Sequence, residues 1–330
     1  MTEPTAFAPS SDKQPCAAER GPTVPAPPDP DAPPEFPCLA LAEAGTRSKP
    51  EVGTDTLRRI YLDVALPHLR AEPPRGAVYR LFGAIGRTYS WVDVPVAGGD
   101  GYAVLGSHRR CDLVLADDFD IGYRHLAAVL VRLFEDDPDS RVLRLIDLRT
   151  GVPIFVHDDR PRSSVDAPFA VRVGHHVICG LPATPGAAAN DAGAVAAAGD
   201  DLRAFQAHGP QSPPSSLVDA SPSHIRLTVQ REGLGASVEL PTQALDDGII
   251  IGRALNCFDG GLRRVLDDSA ISGTHLLLLR DWDEILGFDL CATNGTRVAG
   301  QRVRRHRFTD DEPAVELGKR VTLSITSLKG

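Results

Sequence analysis

The chemistry legible in this 330-residue chain gathers between Gly248 and Gly300. There the apolar run Ile249-Ile250-Ile251 ends in Gly252-Arg253. Further on, Ile271-Ser272-Gly273-Thr274-His275 leads into the four leucines Leu276 to Leu279. Phe288-Asp289-Leu290-Cys291-Ala292 then runs into Thr293-Asn294-Gly295-Thr296. Each apolar run stops at a turn, and each turn offers a group that suits an anion. The Arg253 guanidinium is a permanent, forked cation matched to phosphate oxygens. Ser272 adds a hydroxyl donor, and backbone N–H groups near Gly273 and Thr274 complete an anion nest. The Asn294 amide both donates and accepts, which suits the backbone of an extended ligand. The pattern is that of a binding surface made from loops on a β scaffold.

Each residue also has a plainer reading. Arg253 could pair with Asp259 or Asp268. Ser272 could be an ordinary turn residue that caps a local N–H. Asn294-Gly295 is a good type I′ hairpin turn. His275 reads as a satisfied, partly buried histidine rather than a base or a metal ligand. Arg302, Arg304, Arg305, His306 and Arg307 read as a solvated face, or else as an extension of an acidic-peptide surface. No G-x-S-x-G elbow, phosphate loop of the G-x-x-x-x-G-K-[ST] type or H-E-x-x-H helix occurs. Ser272 and His275 as a catalytic pair would need a nucleophile–base hydrogen bond and a third, orienting group. The expectation is a non-enzyme without catalytic residues, metal or cofactor.

Composition narrows the class further. A net charge of −9 and a pI near 5.6 argue against a general nucleic-acid or anionic-membrane binder. The 28 prolines and 30 glycines imply many turns. Cys16, Cys38, Cys111, Cys179, Cys257 and Cys291 are scattered without C-x-x-C spacing, as in reduced thiols of the cytoplasm. No apolar run approaches the ~18–20 residues of a membrane span, and the first residues lack the order of a signal peptide.

The elements that must position the turns follow from local pattern. Residues 1–52, rich in Pro and Ala, read as a disordered tail. Leu57, Ile60, Tyr61, Val64 and Ala65 recur at helical spacing, giving a short helix or stalk over 53–76, ended by Pro67. Short strands then run from Val78 to Val173, and residues 77–183 read as a β-sandwich. Residues 184–222 are low in complexity and read as a flexible linker, with a short helix near Asp201 as a second reading. Strands resume at Ile225 and continue through 223–330.

The two strand-rich halves look like copies. The segment Asp117–His125 lines up with Asp267–His275 without a gap, Gly106 with Gly252, Asp147-Leu148 with Asp289-Leu290, and Val173-Gly174 with Leu317-Gly318. The differences fall at the polar turns, where Ser107 stands for Arg253, Gly122 for Ser272, and Thr150-Gly151-Val152-Pro153 for Thr293-Asn294-Gly295-Thr296. One working site and one structural or protein-binding copy follow.

Gly252-Arg253, Ile271-Ser272-Gly273-Thr274-His275, Asp289-Leu290 and Thr293-Asn294-Gly295-Thr296, in this order, resemble the signature of the forkhead-associated (FHA) domain. Val315-Glu316-Leu317-Gly318 and Val321–Ile325 resemble its closing strands. The resemblance is good over 223–330 and weak over 77–183. It implies tandem all-β sandwiches of two antiparallel sheets each, the second binding phosphothreonine through Arg253, Ser272, Gly273, Thr274 and Asn294. It also implies architectural roles for Gly252, His275 and Gly295. Two departures stand out: Gly273 occupies a position that is often basic in the family, and the segment from Ala254 to Arg264 is long. The implied function is an adaptor that recruits a phosphothreonine-bearing protein, such as a Ser/Thr kinase or its substrate. The alternative is a phosphate-independent scaffold, with a hydrolase as a remote third. Thr54 and Thr56 in the tail are candidates for capture in cis by the second sandwich.

Overall fold

A computed structural model describes residues 67, 75–183 and 224–328, apart from 86–87, 99–100, 117, 135, 138, 156–160 and 255–259. The expected tail, stalk helix and linker, with Thr54 and Thr56, lie outside the described residues.

The described chain is built on strands. The first half holds β1 Val78–Ile85, β2 Thr88–Pro95, β3 Tyr102–Gly106, β4 Leu113–Val114, β5 Leu126–Arg132, β6 Arg141–Asp147, β7 Ile154–Phe155, β8 Pro161–Arg162, β9 Ser164–Asp166, β10 Phe169–Val173 and β11 His176–Ala183. The second holds β12 His224–Arg231, β13 Leu234–Pro241, β14 Ile249–Ile251, the helix α1 Gly260–Leu266, β15 Leu276–Asp281, β16 Glu284–Asp289, β17 Thr296–Val298, β18 Gln301–Val303, β19 Arg305–Phe308, β20 Ala314–Leu317 and β21 Val321–Leu328. In each half these strands form two sheets. They are β2-β1-β11-β10-β7-β8 with β4-β3-β5-β6-β9, and β13-β12-β21-β20-β17-β18 with β14-β15-β16-β19.

Helix α1 was not foreseen. The segment after Arg253 had read as a long polar loop, but Leu262, Val265 and Leu266 repeat at helical spacing and are buried in the second core. Gly261 lies close against Ala236 of β13. Arg263 and Arg264 are carried on the exposed side of this helix.

Burial differs between the sheets, and the difference explains the assembly. In β12 the buried residues alternate, Ile225, Leu227 and Val229, as one face meets a core and the other meets water. In β15 they do not alternate, because Leu276 to Leu279 are all buried. Leu276 and Leu278 enter the core of the second half, whereas Leu277 and Leu279 enter a core shared with the first. Ile249 and Ile251 divide from Ile250 in the same way. Leu286, Phe288 and Leu290 join the shared core, where they meet residues such as Val104, Ala128, Leu130 and Leu145. A sheet apolar on both faces must be covered on both faces, and each half covers the other.

Polar groups frame this seam. Arg132 at the end of β5 donates its N–H to Asp281 Oδ1 (2.9 Å) and a guanidinium N–H to the Asp281 carbonyl (2.6 Å). Trp282 Nε1 donates back to the Arg132 carbonyl at 3.3 Å. At the other end the Tyr102 hydroxyl sits 2.9 and 2.8 Å from the carbonyls of Asp289 and Arg304. Its ring packs edge-on to Phe288 at 5.2 Å. Arg304 lies over that ring at 4.8 Å and pairs with Asp112. The cluster from Arg302 to Arg307 is therefore not a uniformly solvated face. His306 is buried, Arg304 closes the seam and Arg307 pairs with Glu284.

Cys111, Cys179 and Cys291 are free thiols, and burial pushes that of Cys179 up to about 12. Among the described residues no helix is long and apolar enough to cross a membrane.

The shared core makes a prediction about fragments. Residues 223–330 alone would expose Ile250, Leu277, Leu279, Leu286, Phe288 and Leu290, each contributing about 1.5–3 kcal/mol when fully buried. The fragment is expected to self-associate or lose cooperative unfolding, whereas residues 75–330 remain monomeric with one sharp transition. Light scattering and thermal melts of the two proteins test this. A monomeric fragment melting at the temperature of the longer protein would contradict it.

Candidate functional site

The sequence-predicted residues meet at one end of the second half, where the loops after β14, before β15 and after β16 converge. The first two loops are stitched together by the backbone. Arg253 N–H donates to the Ser272 carbonyl (3.0 Å) and Ala254 N–H to the Gly273 carbonyl (3.0 Å). Gly252 is the residue that permits this approach, since any Cβ there would run into the Gly273 carbonyl oxygen.

His275 is fully buried and holds the loops from beneath. Its Nδ1 accepts the Ser272 N–H at 3.1 Å, so Nε2 carries the proton and donates to the Gly295 carbonyl at 3.3 Å. Its own backbone bonds Ile251 on one side and Leu290 on the other. Burial holds the imidazole below its ordinary value of 6.5, although Asp289 and the Gly295 bond oppose this. Both ring nitrogens are committed to backbone, so the ring positions the loops and has no free nitrogen to act as a base.

Ser272 caps a backbone N–H, as its plainer reading held, but a distant one: its Oγ accepts from Thr293 N at 3.1 Å. The hydroxyl hydrogen has no acceptor among the described residues and remains to be donated. Asn294 Nδ2 donates to the Ala270 carbonyl at 3.0 Å, tying the third loop to the second. Its second N–H and its Oδ1 have no partner among the described residues. The type I′ reading of Asn294-Gly295 does not hold. Gly295 has φ +72° but Asn294 is not left-handed, and the turn closes from Gly295 N–H to the Ala292 carbonyl. β16 and β17 also pair with other strands rather than with each other.

Arg253 is exposed, and among the described residues its side chain makes no hydrogen bond or ion pair. Asp268, one of its two alternative partners, is engaged by Arg231 and by the N–H of Ala270. Asp259 lies outside the described residues. Gly273 and Thr274 are half-buried at the rim. From Thr274 and Ala254 a groove of about 550 Å³ leads to Leu148, Arg149 and Thr150 of the first half.

The first half repeats this scaffold without its donors. Ser107 N–H bonds the Gly122 carbonyl, His108 N–H bonds the Tyr123 carbonyl, and His125 Nδ1 accepts the Gly122 N–H. The Ser107 hydroxyl is spent on the Ile121 carbonyl and that of Thr150 lies 2.7 Å from His125 Nδ1. Phe119 and Tyr123 project into solvent from the loop that corresponds to Ser269–Gly273.

About a third of this chain is similar to forkhead-associated domains. The FHA domain of the CT664 protein of Chlamydia trachomatis matches 32% of this chain over 99% of its own, at 22% identity and a TM-score of 0.27. FHA-1 of Rv1747 from Mycobacterium tuberculosis matches 32% of this chain over 98% of its own, at 25% identity and a TM-score of 0.24. A yeast FHA domain solved with a doubly phosphorylated peptide matches 37% of this chain over 86% of its own, at 17% identity and a TM-score of 0.28. No protein-family model and no curated protein matches. The FHA resemblance had not led to Arg110, Arg124 and Arg297, which also reach the Asn294 loop. Arg297 stands close by in sequence, but Arg110 and Arg124 come from the first half, and no local pattern announces them.

Two expectations follow. Gly252→Ala should separate the first two loops, lowering the melting temperature by the equivalent of about 1–3 kcal/mol. Gly76→Ala, whose added methyl meets nothing within 4 Å, should have no such effect. The second concerns acid. Burial also lowers His125, so the unfolded chain binds protons at His125 and His275 that the folded protein refuses. Stability is then full above about pH 6.5 and falls as pH drops through that value towards the lowered folded ones. The slope should approach ~1.4 kcal/mol per pH unit for each group. Thermal melts between pH 8 and 5.5 check this, and a melting temperature that rises on acidification would oppose it.

Proposed function

We propose that the second sandwich binds phosphothreonine in extended protein segments, and that the chain acts as a non-catalytic adaptor downstream of a Ser/Thr kinase. The observation that carries this reading is the Arg253 guanidinium, unpaired among the described residues and held through its own backbone to the carbonyl of Ser272, whose O–H is likewise unspent among them. A permanent cation and an O–H donor held together, on loops that cannot shift without unseating His275, suit a dianion with several acceptor oxygens. The free N–H and Oδ1 of Asn294 offer the paired donor and acceptor that a peptide backbone needs. The groove beyond Thr274 offers a path for the residues on one side of the phosphothreonine. We further propose that the halves are copies of one ancestral sandwich, in which the first kept the scaffold and lost the donors.

Charge-assisted hydrogen bonds at roughly 1.5–3 kcal/mol each, set against ordering costs, suggest micromolar-class affinity. The test is calorimetric titration of the full chain with a degenerate phosphothreonine peptide pool and with its unphosphorylated twin. Binding is expected only to the phosphorylated pool and should weaken at least ~10-fold in Arg253→Ala. Equal binding of both pools, indifferent to Arg253, would point instead to a phosphate-independent scaffold.

A further inference from the structure

The loop that carries Asn294 is held in an unusual way. Four consecutive carbonyl oxygens each accept from a different arginine: Cys291 from Arg124 (2.6 Å), Ala292 from Arg302 (3.0 Å), Thr293 from Arg110 (3.0 Å) and Asn294 from Arg297 (3.3 Å). Arg297 and Arg302 belong to the second sandwich, while Arg110 and Arg124 belong to the first. Among the described residues none of the four forms an ion pair. Their partners are neutral dipoles, so the guanidinium charge is spread around the loop and not cancelled there. Two carboxylates lie near: Asp289 is buried and bonded to Ala292 N–H and the Thr296 hydroxyl, and Asp112 is paired with Arg304. Arg109, exposed and without a side-chain partner among the described residues, adds a further charge beside Arg110. The imidazole of His108 is lowered first by burial and then by Arg124, Arg110 and Arg109, which places all three around it. Tyr123 packs edge-on against His108 at 5.9 Å and is otherwise exposed. On a chain of net charge −9, this is a local concentration of positive charge one residue from the Thr293 N–H that holds Ser272.

We propose that these arginines form a basic collar, half of it supplied by the first sandwich, which selects phosphothreonine segments carrying further negative charge beside the phosphothreonine. The proposal rests on the phosphothreonine reading of Arg253 and Ser272 and adds what flanks the ligand must have. Acidic side chains, or a second phosphate, next to the seated residue meet Arg109 and Arg110 across the seam. Such contacts at an exposed rim act over about 8 Å at physiological salt and bear on selection more than on raw affinity.

The experiment uses the full chain and three synthetic phosphothreonine peptides that differ only in flanks of Glu, Ala or Lys. The wild type is expected to favour the Glu-flanked peptide over the Ala-flanked one at least ~5-fold in low salt, a preference that shrinks in high salt. Arg109 makes no side-chain hydrogen bond among the described residues, so Arg109→Gln should weaken that preference while the affinity for the Ala-flanked peptide stays within about twofold. Arg109→Glu is the second variant. It should move the preference towards the Lys-flanked peptide. No Glu preference in the wild type, or one that survives both variants, would overturn the collar and leave the phosphothreonine reading intact if Arg253→Ala still abolishes binding. Absence of binding to all three peptides would overturn both.

Discussion

A sheet with apolar residues on both faces cannot leave either face in water, and this constraint governs the molecule. Leu277 and Leu279 are as buried as Leu276 and Leu278, but they are buried by the other half of the chain. The same strands end in the recognition loops. The seam therefore does two things at once: it removes hydrocarbon from water, and it fixes the loops of one half against those of the other. Arg124 is the clearest case, since it is buried, belongs to the first half, and holds the carbonyl of Cys291 in the second.

The residues of the candidate site could be picked out from their types. Gly252, Arg253, Ser272, His275 and Asn294 do lie together, because each sits at the end of a strand whose pattern was plain. Most strands were legible for the same reason. What escaped notice lay between elements distant in sequence. The run Leu276–Leu279 does contain its own clue: four apolar residues in succession signal a strand covered twice. Nothing local says what the second cover is, since that is decided by Val104, Ala128 and Leu145 across the seam. Helix α1 was missed for a different reason. Its glycines and arginines masked a short apolar stripe, and burial of Leu262, Val265 and Leu266 outweighed weak propensity.

The two halves share loop geometry while differing in the groups their turns present. In both, a buried histidine accepts a loop N–H and touches a distant carbonyl through its second nitrogen. In both, a glycine lets two loops meet. These features set loop shape and not loop chemistry. In the first half the Ser107 and Thr150 hydroxyls turn inward to a carbonyl and a ring nitrogen. In the second, one cation and one hydroxyl stay unsatisfied. The two sets of loops differ here by what they leave unbonded among the described residues.

The seam also changes what the segment between Ala183 and His224 is required to do. Among the described residues, the contacts that hold the halves together run from β3, β5 and β6 to β14, β15 and β16 and their loops. The arrangement is that of a heterodimer whose two subunits happen to be encoded in one chain. Covalent continuity raises the local concentration of one half around the other, and closure entropy grows only logarithmically with the length of chain between two joined parts. Genes for the two halves expressed separately would retain the complementary faces of the described seam, and the meeting of the loops at its rim would depend on that encounter.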